Sequence, residues 1–171
     1  MNILILPGYS LKNKIWAENL KKELNSGDEI QIINWEHWET GSSTDDWLDI
    51  EAQKIVKDLT SQVNIIAHSA GTFVAMKILK LKPDLIHKII LCGIPVNDFH
   101  TGDQKLYETL NLLKPENILC VQNENDNHGS FSQAEKIIHA LNSNIKIISQ
   151  PRSDHLYSYP EEFQEFLNKV E

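Results

Sequence analysis

One serine stands where a serine has reason to react. In "NIIAHSAGTF", residues 64–73, a short apolar stretch runs through His68 into Ser69 and then into a helix pattern. Phe73, Val74 and Ile78 make the buried side of that helix, so the turn before it is very short. The backbone of a serine in such an elbow is strained. Its neighbours two places before and after must be small to clear the strand and the helix. Ala67 and Gly71 occupy those places. Ser69 then projects above a sheet at the amino end of a helix, where N–H groups face developing negative charge. The plain alternative is a tight turn in which the serine has no task. A serine hydroxyl is a weak nucleophile at neutral pH. It needs a base to take its proton and a third group to orient that base. Downstream, His87, His100, His128, His139 and His155 are available as bases. His139 lies inside a helix pattern and His87 just before a strand, which suits structural or solvated roles.

"AHSAG" resembles the G-x-S-x-G nucleophile elbow of the α/β-hydrolases, with Ala67 in the place of the first glycine, a substitution that also occurs in that superfamily. The resemblance implies a chain order of serine, acid and histidine, with the base after the last strand. His155, in "PRSDHLYSYP", matches that place. The family pattern for the acid is often a glycine, two residues and an aspartate after the penultimate strand. "ILCVQNENDNHGS" offers Glu124 and Asp126 there, and Asp126 fits the pattern with Asn123 in the glycine place. Asp98, after the fourth strand, is the rival, because some hydrolases take their acid from that position. Asp154, adjacent to His155, is read as a solvated loop carboxylate.

The same resemblance implies two oxyanion donors, the amides of Ala70 and Tyr9. Tyr9 lies in "LPGYS", which resembles the family's His-Gly-x loop with Pro7 in the histidine place. Gly8 lets the backbone turn close to a substrate. Gly8, Tyr9 and His68, with Trp35 and Trp38, are the substrate-binding candidates. The two tryptophans belong to "NWEHWETGSSTDDW"; they either line the cleft or cover the edge of the sheet. Trp47 opens a helix and is expected in packed core. The whole chain is similar to the small lidless serine hydrolases that include the retinoblastoma-binding-protein type, and "DDWL" before the second helix is a further echo of that group.

The elements that must position these residues follow from hydrophobic pattern. Apolar runs at Asn2–Leu6, Glu29–Asn34, Val63–Ala67, Lys88–Cys92, Asn117–Gln122 and Asn144–Ser149 suit strands buried on both faces. Helix stripes lie between them. Trp16, Leu20 and Leu24 form one; Leu48, Ala52, Ile55, Val56 and Leu59 another; Ala134, Ile137, Ile138 and Leu141 a third, with Ser130 and Gln133 placed for a capping box. Pro160 suits the first turn of a last helix whose Phe163, Phe166, Leu167 and Val170 face one way. Gln104 to Leu113 is a weaker helix. Alternating strands and helices predict a three-layer α/β sandwich with a six-stranded parallel sheet, order 2-1-3-4-5-6. That order reverses between strands 1 and 3, where ligands bind beyond the carboxyl ends of strands. "PGYS" and "AHSAG" meet there. About twenty residues separate strands 4 and 5, room for one helix and no cap domain.

Composition narrows the function. A chain of 171 residues, 41% hydrophobic, suits one domain spanning 1–171. Its net charge of −8 gives no electrostatic help to nucleic-acid binding. No stretch approaches the roughly 20 apolar residues that cross a bilayer, so no membrane insertion is expected, and "MNILILPGYS" reads as a first strand rather than a signal peptide. Cys92 and Cys120, the two cysteines, lie in apolar runs. They suit buried thiols in the cytoplasm, although neighbouring strands would also allow a disulfide. Asp126, His128 and His155 lack metal-ligand spacing, and no cofactor or metal is expected. The expected activity is a carboxylesterase-type serine hydrolase acting on small acyl esters. The alternative is a non-catalytic binding protein on the same scaffold.

Overall fold

The computed structural model describes residues 1–24, 27 and 29–169. Its strands are β1 Asn2–Leu6, β2 Ile30–Ile32, β3 Val63–His68, β4 Ile86–Cys92, β5 Ile118–Asn123 and β6 Lys146–Gln150. They form one parallel sheet in the order β2-β1-β3-β4-β5-β6, as the alternating pattern predicts. The helices are α1 Asn13–Glu23, α2 His37–Thr40, α3 Trp47–Asp58, α4 Ala70–Leu81, α5 Asp103–Leu106, α6 Phe131–Leu141 and α7 Pro160–Asn168.

Successive strand residues point to opposite faces, so each strand feeds two apolar layers. Leu4, Leu6, Ile65, Ala67, Ile89 and Leu91 pack with α3, α4 and α6. Ile3, Ile5, Ile66, Ile90 and Cys92 pack with Trp16 and Leu20 of α1 and with Phe163 and Phe166 of α7. Each fully buried isoleucine or leucine contributes roughly 1.5–3 kcal/mol. The two layers hold the sheet from both sides. Cys92 and Cys120 lie on adjacent strands but in opposite layers, and both are free thiols.

Helix ends are fixed by specific bonds. Ser130 and Gln133 close the capping box at the start of α6. The buried Lys88 ammonium of β4 donates to the carbonyls of Phe166 and Leu167, each at 3.2 Å, and to that of Lys169, holding the end of α7 against the sheet. Pro160 is in the first turn of α7. Val170 of the predicted stripe lies outside the described residues.

Several elements differ from the pattern-based expectation, among them a short helix, α2, in the loop expected after β2 and a sixth strand that starts two residues late. The edge strand β2 keeps only Ile30–Ile32, although ladder bonds continue from Ile3 to Glu29 and from Ile33 to Ile5. The segment after α5 is a tighter 3-10 turn over Tyr107–Leu112 rather than one helix over Gln104–Leu113. Its buried residues, Tyr107 and Leu110, are three apart, the period of that turn. His87 lies within β4 instead of before it. Among the described residues no helix is long and apolar enough to cross a membrane.

Candidate active site

The turn after β3 holds its serine in a strained backbone conformation. Ser69 has φ 53° and ψ −123°, and among the described residues no other non-glycine has a positive φ. α4 starts at the next residue, Ala70. A Cβ on Gly71 would lie 2.2 Å from the Leu6 carbonyl oxygen and 2.7 Å from that of Pro7, so α4 approaches β1 only because this residue has no side chain. Ala67 is fully buried. The Ser69 amide donates to the Cys92 carbonyl at 3.1 Å, anchoring the turn to β4. Ser69 opens into a cavity of about 530 Å³ whose lining includes Tyr9, Trp47, Ala70, Phe73, Asp98, His128 and His155.

His155 stands in the loop between β6 and α7. Its Nδ1–H donates to Asp126 Oδ2 at 2.6 Å. With that proton on Nδ1, the neutral ring keeps Nε2 as an acceptor. Nε2 has no partner among the described residues. Asp126 is 3% exposed. It also accepts the Tyr157 hydroxyl at 2.6 Å and the His128 amide at 2.8 Å. Burial pushes its carboxyl up, but these three bonds outweigh burial and hold it below the usual carboxylate value. Tyr157 accepts the Asn123 amide at 3.0 Å, which aims its own proton at Asp126. Burial, followed by the hydrogen bond to Asp126, pushes the Tyr157 phenol upward, so it stays a neutral donor.

Asn123 occupies the place of the family's glycine, and its side chain does what no glycine could. It donates to the carbonyls of Asp154 at 2.8 Å and Leu156 at 3.1 Å, on both sides of His155. It also accepts the Tyr159 hydroxyl. The Trp16 indole of α1 adds a bond to the Tyr157 carbonyl at 3.0 Å. Asp154 itself pairs with Arg152 at the surface.

Two cavity-lining residues have unpaired backbone amides. Neither Tyr9 nor Ala70 donates its N–H among the described residues, and both residues line the cavity. The loop after β1 is held by its carbonyls. Trp35 donates to those of Pro7 and Gly8, each at 3.2 Å. His37 and Trp38 reach the Tyr9 carbonyl at 2.8 and 2.7 Å.

The sequence candidates therefore fall into distinct places. Ser69, Tyr9, Ala70 and His155 share the cavity, with Asp126 directly behind His155. Gly8, Trp35, Trp38 and His68 do not line it. Trp35 is fully buried, and Trp38 is bonded to the β1 loop. Trp47, expected in core, packs against the core and also forms a cavity wall. His68 is 2% exposed beside His155, with ring centroids 4.9 Å apart, and packs at a tilt against Trp16 and Tyr157. Neither of its ring nitrogens has a partner among the described residues. Burial, and after it the neighbouring His155, push it down to about 3, so it is neutral. Asp98 bonds His128, at 2.6 Å, rather than His155. Sequence reasoning passed over Tyr157, although it stands two residues beyond His155, and named His128 only among the available bases and in a metal set. Among the described residues no group of three or more His, Cys, Asp or Glu is arranged to hold a metal.

A parallel sheet in this order, flanked by helices, with a serine on a strained strand-to-helix turn, has the α/β-hydrolase fold, and the segment between β4 and β5 holds only α5 and short 3-10 turns. The family model described as Serine hydrolase matches residues 3–159, and the chain belongs to that family. No curated protein matches it. Among solved structures it is similar to XC6422 from Xanthomonas campestris, an α/β serine hydrolase without lid, at 14% identity and a TM-score of 0.70, covering 97% of this chain and 78% of that one. The ydeN gene product of B. subtilis matches at 16% identity and a TM-score of 0.66, covering 98% and 99%. Polyneuridine aldehyde esterase matches at 10% identity and 0.68, covering 98% of each chain. At these identities the likeness is one of fold.

Proposed function

We propose that this serine hydrolase is a carboxylesterase that cleaves small acyl esters through an acyl-serine intermediate. One observation carries the reading. Asp126 fixes the His155 ring at 2.6 Å through Nδ1, leaving Nε2 unpaired beside the cavity that Ser69 opens into. Nε2 takes the Ser69 proton as Oγ bonds to the acyl carbon. The negative carbonyl oxygen is met by the Tyr9 and Ala70 amides. His155 then passes the proton to the leaving oxygen as the carbon–oxygen bond breaks, releasing the alcohol. Water gives a proton to Nε2 and its oxygen to the acyl carbon. The return of that proton to Ser69 Oγ frees the carboxylic acid. Asp126 stays ionised throughout and steadies the imidazolium.

The absence of a lid favours small substrates in an open cleft. The free, buried thiols of Cys92 and Cys120 support a cytoplasmic location. The test is labelling with a fluorophosphonate probe, together with turnover of a short-chain nitrophenyl ester. Wild type is expected to label and turn over, and Ser69→Ala to do neither. Equal labelling of the two proteins would refute the role of Ser69. An unlabelled, inert wild type that still binds acyl ligands would favour a binding protein.

A further inference from the structure

The cavity has two unlike walls. Tyr9, Trp47, Leu48 and Phe73 make an apolar and aromatic side. The rest of the lining includes Asp98 and Asp103 from the segment after β4 and His128 from the loop after β5. The two segments of this second wall are tied together. Gln122, fully buried, accepts the Ile94 amide at 2.9 Å and donates to the carbonyls of Ile94 and Gly129. The Asn97 amide donates to the His128 carbonyl at 2.8 Å. His128 Nδ1–H donates to Asp98 Oδ2 at 2.6 Å, forming a second imidazole–carboxylate pair beside the first. The rings of His128 and His155 are 4.3 Å apart between centroids.

The chemistry sets which part of an ester meets which wall. The base that deprotonates Ser69 must reprotonate the leaving oxygen, so that oxygen lies within reach of His155 Nε2. The alcohol part of the ester then continues past His155 onto its neighbour, His128. The acyl carbonyl faces the other way, toward Tyr9 and Ala70. With Nδ1 committed to Asp98, a neutral His128 offers Nε2 as an acceptor, and this nitrogen has no partner among the described residues. The side chains remain open, His128 at 41% and Asp98 at 53% exposure. Among the described residues the cavity lining includes the carboxylates of Asp45, Asp98 and Asp103, and no lysine or arginine. Such a wall offers acceptors, asks the ligand for donors, and repels anions.

Resting on the esterase reading, we infer that the His128–Asp98 pair forms a leaving-group subsite that selects esters of hydroxyl-rich alcohols. The experiment compares kcat/KM for glyceryl monobutyrate with that for 2-methylbutyl butyrate, in which methyl groups replace both free hydroxyls. O-butyryl glycolate supplies the anionic arm. Wild type should prefer the glyceryl ester by about fivefold or more, the worth of one or two hydrogen bonds, and should disfavour the glycolate ester. His128→Phe and Asp98→Leu should each bring the glyceryl preference toward one, chiefly by raising KM for that ester. Asp98→Asn, which keeps an acceptor oxygen for His128, should retain more of it. Each readout is a ratio within one protein, so a change in overall rate cancels. A labelled, active wild type with a ratio near one, or variants with the wild-type ratio, would overturn this inference and leave the esterase standing. No turnover of any ester and no labelling of Ser69 would overturn both.

Discussion

Replacing His68 tests the layer that supports His155. The ring is 2% exposed, unpaired at both nitrogens, and packed between Trp16, Tyr157 and His155. Burial holds its protonation down to about 3, against an ordinary value of 6.5. The unfolded chain therefore takes up a proton near pH 6.5, whereas the native protein does not until about pH 3. The stability that comes from a neutral His68 is complete above pH 6.5 and is lost progressively as pH falls from there toward 3. Each pH unit in that window removes about 1.4 kcal/mol, or about 2 kcal/mol by pH 5. Urea unfolding at pH 7.5 and pH 5 measures it. His68→Phe and His68→Gln should each lose about 2 kcal/mol less than wild type across the interval. Any constant effect of repacking cancels in the difference. Parallel pH dependences for wild type and both variants would refute the neutral, buried imidazole.

Two further outcomes follow from the same geometry. Ser69→Gly relieves a backbone at φ 53° that glycine tolerates; it should raise stability by about 1 kcal/mol in urea unfolding while abolishing probe labelling. A less stable variant would show that the turn carries no strain. Asp126→Asn should cut kcat on a nitrophenyl ester by about 10³–10⁴, because the amide no longer enforces the Nδ1–H tautomer, while Asp98→Asn costs less than about tenfold. The reverse ranking would give the acid's role to Asp98.

Some of this protein was legible one segment at a time. The strand order follows from local periodicity, short connections and the handedness of crossovers. The elbow follows from sterics, since only small residues at Ala67 and Gly71 let β3, β1 and α4 meet, and the Leu6 carbonyl stands where any Cβ on Gly71 would go. His68 was misplaced for a reason the pattern itself contains. Neighbours on a strand point to opposite faces, so a residue adjoining Ser69 is directed into the other layer, toward Trp16 and Tyr157. The aromatic loop was harder. An indole can pack, donate or form a wall. Trp35 and Trp38 became donors to the β1 loop while Trp47 reached the cavity.

The alternation of strands and helices and the serine turn are written in the sequence, because each depends on residues close together along the chain. Which carboxylate holds which imidazole is not. Asp126 and Asp98 each follow a strand, and each meets a histidine at 2.6 Å. Only the packing of the loops after β4, β5 and β6 pairs Asp126 with His155 and Asp98 with His128. Asn123 shows the same division. As a letter it is a departure from glycine; in three dimensions its amide spans the Asp154 and Leu156 carbonyls and holds His155 between them. Hydrogen-bond partners distant in sequence are chosen by where rigid elements bring their loops, and that placement exists only once both apolar layers have closed on the sheet.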